Sequence, residues 1–162
     1  KNNHYGMKTS QGFYSWTPET IKVERNRYDT ILKAGLKIIQ QEDACERANR
    51  SATQLRAGLT DALQTFGLDW VVYGEASAFH IYMGSTTPGY NGFEPERLGR
   101  EKLYQQPQDI ARLLRLALNI NGVDFSGWPG GLVASAHSPA DIDATVAAFA
   151  ASLQSLKPIL DA

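Results

Sequence analysis

The segment LDWVVYGEASAFHIYMG, residues 68–84, constrains the fold most strongly. It holds two runs rich in aromatic and β-branched residues, WVVY and FHIYM, and the linker GEAS lies between them. This pattern predicts two antiparallel strands. Because side chains alternate along a strand, Phe79 and Ile81 should share one face, and His80 and Tyr82 the other.

Helical patterns precede these strands. Thr17 followed by Pro18 is typical of a helix start. Apolar residues recur after it at helical spacing, namely Ile21, Ile31, Leu32, Gly35, Leu36 and Ile39. A second stripe, which should stop near Gly67, consists of Ala44, Ala48, Ala52, Leu55, Leu59 and Leu63. Cys45 lies in this second helix, where a small buried residue is expected and a nucleophile is the alternative.

Further helices follow the strands. Residues 85–107, rich in proline, glycine and charge, predict a surface excursion or a lid. Residues 108–118 have helical spacing, and two short strands are predicted at 122–123 and 132–136. The last helix should begin at Ser138, whose hydroxyl caps it, with Pro139 in the first position and Asp141 in the first turn. Pro158 should fall just beyond its end.

The order of these elements predicts an α+β fold, with a largely antiparallel sheet and helices on one side of it. A length of 162 residues fits one domain. A formal net charge of −1 without a basic stripe disfavours nucleic acid as a partner. No apolar run approaches the roughly 20 residues that a membrane helix needs. The single cysteine fits a reducing compartment, so we predict a cytoplasmic protein that does not bind membranes.

The chain offers no recognisable catalytic set. Its three histidines, His4, His80 and His137, lack metal-ligand spacing, and we predict no metal site. Nothing around Lys8 suggests a lowered pKa, so a solvated amine is expected there. No Gly-x-Ser-x-Gly motif is present, which places a hydrolase last among the possible functions. We therefore predict no catalytic, cofactor-binding or metal-binding residue in this chain.

Three segments of the sequence resemble a known protein family. They are GVDF, GGLVASAHSPADIDATVAAFAASL and the earlier LKIIQQEDACERANRSATQLRAGLTDAL. They resemble the C-terminal region of class III pyridoxal-phosphate-dependent aminotransferases, closest to the glutamate-1-semialdehyde aminomutases and their relatives. The strand pair ending in AFHIYMG matches this region in position. The resemblance covers residues 33–157.

The resemblance implies a fold-type I enzyme, in which a large cofactor domain precedes a small α+β C-terminal domain. Residues 31–162 would form that small domain, and residues 1–30 a poorly matched segment of loop and helix start. The lysine of the Schiff base and the aspartate on the pyridine nitrogen would lie in the large domain. This chain would then cover the active site of a transaminase or aminomutase acting on a small amino or keto substrate. Alone it should be inactive and bind no pyridoxal phosphate.

The same resemblance implies which partners the chain has and where the substrate enters the active site. The large domain, in the same or a separate chain, would be the partner, and the parent protein would be a homodimer. Phe125, Ser126 and Trp128 are the candidates for the substrate entrance, and an aromatic plug that seals a domain interface is the alternative. Arg97 and Arg100 are candidates for pairing with a substrate carboxylate.

The N-terminal residues depart from the resembled pattern. That pattern has a glycine-threonine pair, whose threonine reaches the cofactor phosphate of the neighbouring subunit. Here Met7 follows the segment HYG at the position where the threonine is expected. We assign the phosphate-binding role to neither Thr9 nor Ser10.

A different class of function remains open beside the enzyme fragment. The same pattern of helices and strands also suits a stand-alone, non-catalytic α+β module for binding or dimerisation.

Overall fold

Helices and short antiparallel strands make up the part of the chain that the computed structural model describes, which is residues 16–41, 43–84, 101, 103, 106–125 and 129–161. The elements are α1 (Pro18–Gln41), α2 (Ala44–Thr65), β1 (Val71–Tyr73), β2 (Ala78–Tyr82), α3 (Gln108–Ile120), β3 (Gly130–Leu132) and α4 (Pro139–Leu160). The chain divides into two compact units, Lys1–Ala44 and Cys45–Ala162. The predicted boundary between residues 30 and 31 stays a prediction.

The three strands form one sheet in the order β1-β2-β3, and both pairings are antiparallel. His80 lies opposite Tyr73 on one side and opposite Gly130 on the other. Phe79 and Ile81 are buried and His80 between them is half-buried, as the predicted alternation requires, but Tyr82, predicted to share the face of His80, is buried as well. The described residues therefore have an α+β fold, as the sequence predicts.

The strand predicted at 122–123 is wrong, because these residues end α3. Gly122 has φ of +84°, and its N–H donates to the carbonyl of Asn119 at 3.1 Å. The N–H of Val123 donates to the carbonyl of Leu118 at 3.0 Å. This pair of bonds is a Schellman motif, in which glycine supplies the left-handed residue after the helix.

The end of α2 is built in the same way. Gly67, with φ of +67°, donates its N–H to Gln64 at 3.0 Å, and Leu68 donates its N–H to Leu63 at 3.0 Å. The prediction that this helix stops near Gly67 is confirmed.

The last strand begins two residues earlier than predicted, at Gly130 rather than at residue 132, and it ends at Leu132. The close approach of β2 explains the shift. A Cβ atom added at Gly130 would lie 2.5 Å from the carbonyl oxygen of Phe79, and one added at Gly131 would lie 3.1 Å from the Phe79 ring. Glycine lets the backbones meet here, although it is otherwise unfavourable in a strand.

A single apolar cluster lies between the sheet and the helices α2, α3 and α4. Phe79 and Ile81 supply its sheet side, and the aliphatic residues of the helices supply the rest. Its most completely buried large side chains are Phe149, Leu59, Leu63, Ile81, Leu114, Leu118 and Leu153. Removing such side chains from water supplies most of the stabilising free energy of a domain of this size.

Cys45 is exposed, so the expectation of a small buried residue is wrong. It lies in the first turn of α2, and Ala48 is the first residue of the helix that is buried. The helix therefore starts one turn before its packed face begins.

The apolar stripe of α1 is helical as predicted, but its large side chains are exposed. The exposed apolar side chains of α1 are Val23, Tyr28, Ile31, Leu32, Leu36, Ile38 and Ile39.

The start of α4 matches the sequence prediction. The N–H of Asp141 donates to the Ser138 hydroxyl at 3.3 Å, and the N–H of Ser138 donates to the Asp141 carboxylate at 2.7 Å. This reciprocal pair is a capping box. The predicted end is wrong, because Pro158 lies inside the helix, which continues to Leu160. A proline one turn from the end removes only one backbone donor, and Asp161 still donates its N–H to Lys157 at 3.0 Å.

The helices α2 and α4 meet closely at Gly58. A Cβ atom added there would lie 2.6 Å from Cγ2 of Val146, which is shorter than van der Waals contact. A hydrogen bond of 3.4 Å from Gln54 to Asp143 joins the same two helices.

Replacing Gly58 with alanine should therefore destabilise the fold. Overpacking costs about 1–3 kcal/mol, and the better helix propensity of alanine offsets about 1 kcal/mol of it. Urea denaturation followed by circular dichroism measures the difference. Val146→Ala in the Gly58→Ala background should recover part of the loss, since it removes the clashing methyl groups. Gly35→Ala is the control, because no atom lies within 4 Å of its added Cβ. Additive effects of the two substitutions would contradict this packing.

Candidate functional site

A cavity of about 270 Å³ lies beside β3. Leu55 of α2, Phe79 of β2 and Ile142 and Thr145 of α4 form part of its wall. The remaining lining residues lie before, within and after β3, namely Val123, Asp124, Phe125, Gly130, Gly131, Leu132, Val133 and His137. No pattern in the sequence pointed to this cavity, because its residues come from five separate stretches of chain.

Two aromatic rings, those of Phe79 and Phe125, form part of the cavity wall. The rings of Phe79 and Phe125 meet edge to face with centroids 5.0 Å apart, and Phe125 stacks on Phe149 at 6.4 Å. Phe125 is only 5% exposed, so it is both a core residue and part of the cavity wall. Of the predicted entrance residues, Ser126 and Trp128 lie outside the described residues. The assignment of the three to a substrate entrance stays a prediction.

Asp124 lines the cavity, and its carboxylate is paired. The guanidinium of Arg115 donates two hydrogen bonds to its carboxylate, at 2.8 and 3.0 Å. These bonds hold the pKa of the Asp124 carboxyl below its ordinary value. The pair also ties Asp124, which follows α3, back onto that helix.

The other polar side chains of the cavity have local partners. Nδ1 of His137 accepts the backbone N–H of Ala134 at 2.9 Å. A neutral ring in that arrangement carries its proton on Nε2, which is then the donor. The hydroxyl of Thr145 donates to the carbonyl of Asp141 at 2.7 Å and keeps its own oxygen as an acceptor. These groups can orient a ligand, but they form no pair of nucleophile and base.

The described lysines do not suit a Schiff base with pyridoxal phosphate. Lys22, Lys33 and Lys37 are exposed on α1, and Lys157 pairs with Asp161 at 3.4 Å. None of them lines the cavity. A Schiff-base amine has to lie in a site shielded from water, whereas all four of these side chains are exposed. The described residues therefore do not fit the covalent attachment of this cofactor.

Two polar side chains that the sequence did not single out hold the ends of β2. Arg56 donates from Nη1 to the carbonyls of Ala78, at 2.7 Å, and Ala76, at 3.0 Å. The buried Gln106 accepts the N–H of Met83 through Oε1 at 3.0 Å. Arg56 lies on α2 and Gln106 lies just before α3, and the local sequence carries no signal for their distant backbone partners.

Several predicted candidates fall in parts of the chain that the structure does not describe. These are His4, Met7, Lys8, Thr9, Ser10, Arg97 and Arg100. Within the described ranges, no three acidic, histidine or cysteine side chains are grouped so that they can hold a metal ion. No helix in those same ranges combines the length and apolar character needed to cross a bilayer.

His80 lies in the middle strand, half-buried, with its ring 5.3 Å from that of Tyr73. Burial lowers the pKa of His80 below its ordinary value of 6.5. Protonation is therefore easier in the unfolded chain than in the folded one.

The stability of the fold should consequently depend on pH through His80. The free energy of unfolding should fall as the pH drops below 6.5, and the contribution of His80 should level off below its folded pKa. We expect His80→Gln to have a shallower fall in this window, measured by urea denaturation at a series of pH values. The carboxyl groups of Asp124 and Asp141, whose pKa values lie below 3.8, titrate outside the window. An unchanged slope in the variant would contradict the assignment.

The fold is similar to part of several solved transaminases. A transaminase with pyridoxal phosphate bound shares 25% sequence identity and a TM-score of 0.58 over 74% of this chain. An omega-transaminase from Sphaerobacter thermophilus shares 26% identity and a TM-score of 0.55 over 67% of the chain. A glutamate-1-semialdehyde aminomutase from Pseudomonas aeruginosa, at 22% identity, shares the fold with a TM-score of 0.58 over 72% of the chain.

These matches cover only 25%, 23% and 24% of the solved chains, so this chain spans about a quarter of their length. No protein-family model matches the sequence, and no curated protein matches it significantly. The resemblance to aminotransferases drawn from the sequence is nevertheless confirmed, and an aminomutase of the expected kind is among the similar structures.

Proposed function

We propose that this chain is the small C-terminal domain of a fold-type I, class III transaminase or aminomutase. The parent enzyme moves an amino group on a small amino or keto substrate, and this domain covers the active site. The observation that supports the proposal most is the match of 67–74% of the chain to a quarter of two transaminases at 25–26% identity. Sequence and fold therefore point to the same class of enzyme.

Pyridoxal phosphate, when bound to the parent enzyme, supplies the electron sink for amino-group chemistry. Because the described lysines do not fit its attachment, we assign the Schiff-base lysine to the large domain, outside this chain. This domain then contributes shape, orientation and exclusion of water rather than a reacting group.

The contacts around Phe125 support such a role. Edge-to-face packing on Phe79 and stacking on Phe149 fix Phe125 in the core, and the Arg115–Asp124 pair fixes the residue before it. The two anchors hold the chain at Asp124 and Phe125, the residues directly before Ser126 in the sequence. We assign Ser126 and Trp128 to the substrate entrance on this basis.

The exposed stripe of α1 supports a large partner. The stripe includes Ile31, which is 59% exposed, and Leu32, which is 62% exposed. A helix of a soluble protein normally buries such an apolar stripe against a partner. We assign this surface to contact with the large domain of a homodimeric cytoplasmic enzyme.

A stand-alone binding or dimerisation module is the second candidate. It is favoured by the apolar core of the unit Cys45–Ala162, whose buried members run from Ala52 to Leu156. The two candidates differ in the parent protein. Only the enzyme fragment needs a cofactor domain beside it.

The chain alone should not form an internal aldimine. We expect no absorbance band in the visible when the purified chain is mixed with pyridoxal phosphate. After borohydride reduction, peptide mass spectrometry should find only scattered, substoichiometric labelling of lysines. A known intact transaminase, treated in parallel, is the positive control. A stoichiometric band abolished by one substitution, such as Lys8→Ala, would overturn the assignment of the lysine to another domain.

The proposed activity itself is tested on the longest natural reading frame that contains this sequence. That protein should convert added pyridoxal phosphate to its amino form when given an amino donor, with spectral change as the measurement. A reading frame that encodes no cofactor domain, and whose product shows no such change, would favour the module instead.

A further inference from the structure

We propose that the cavity beside β3 is a binding site for a small, uncharged molecule with one aromatic ring and one short polar substituent. The site lies within the small domain and uses neither the cofactor nor the large domain. It therefore goes beyond the proposed amino-transfer function and can fail or hold independently of it.

The size of the cavity sets the size of the ligand. An apolar protein cavity of about 150 Å³ accommodates benzene. The cavity beside β3, at about 270 Å³, has room for such a ring and a substituent of a few atoms.

The residues that line the cavity favour a ligand with an aromatic ring. Phe79 and Phe125 already meet edge to face, an arrangement that a third ring can extend favourably. The side chains of Leu55, Val133 and Ile142 supply aliphatic surface around them, and all three are buried. The absence of a side chain at Gly131 keeps the wall beside the Phe79 ring open, since even a Cβ there would lie 3.1 Å from that ring.

The charges select an uncharged ligand. Arg115 neutralises the Asp124 carboxylate through two hydrogen bonds, so the lining presents no uncompensated carboxylate to attract a cation. Among the described lining residues there is also neither lysine nor arginine to attract an anion. A hydroxyl on the ligand is matched instead by the Nε2 donor of His137 and the acceptor oxygen of Thr145.

Benzyl alcohol is the probe that matches these features. Titrated into the full 162-residue chain, it should bind at one saturable site, with a Kd of about 1 mM as expected for so few atoms. Amide and methyl NMR spectra should change at Phe125, Val133, Ile142 and Thr145. Toluene, which lacks the hydroxyl, should bind more weakly.

Two threonine variants test whether benzyl alcohol binds in the cavity or elsewhere on the surface. Thr145→Phe fills the cavity and should weaken binding at least about tenfold. Thr65→Phe is the matched control, because Thr65 is also a helical threonine whose hydroxyl donates to the carbonyl four residues earlier, yet it does not line the cavity. Binding by the Thr65 variant should stay within about twofold of the unmodified chain.

The NMR map of the unmodified chain decides the proposal even if Thr145→Phe fails to fold. Shift changes away from the lining residues, or a linear response without saturation, would overturn it. Equal binding by folded Thr145→Phe would overturn it as well.

Discussion

The stack of Phe79, Phe125 and Phe149 is the contact on which the rest of the domain depends. It joins the middle strand, the segment after α3 and the last helix through rings 5.0 and 6.4 Å apart. These three elements are far apart in sequence, and burial of aromatic surface is the force that brings them together. The position of residues 121–125 after α3 follows from where Phe125 must lie. So does the cavity, since Phe125 is one of its walls.

The sequence predicted those features that neighbouring residues determine. The capping box at Ser138, the start of α1 at Pro18 and the end of α2 at Gly67 each depend on residues within one helical turn, and each was found as expected. The antiparallel pairing of β1 and β2 also follows from adjacent segments joined by a short turn. Local chemistry was thus enough for most of the secondary structure and for the α+β class.

Features that depend on residues far apart in the chain could not be predicted from the sequence. The extent of β3 is set by how closely Gly130 can approach Phe79, which lies about fifty residues earlier, so a count of apolar residues misplaced it. Cys45 has the spacing of a core residue, but the packed face of α2 begins only at Ala48. The cavity has no local signature, and periodicity showed Phe125 only as an aromatic residue in a glycine-rich turn.

The outer strands of the described sheet have a consequence for how the protein behaves in a crowded cell. β1 and β3 are three residues each, and two of the three in β3 are glycine. A long, regular border with free backbone groups is what lets foreign chains add on and grow into fibrils. Edge strands of three residues offer an incoming chain very few backbone groups for hydrogen bonding. The sheet therefore resists amyloid-like growth because its edge strands are short.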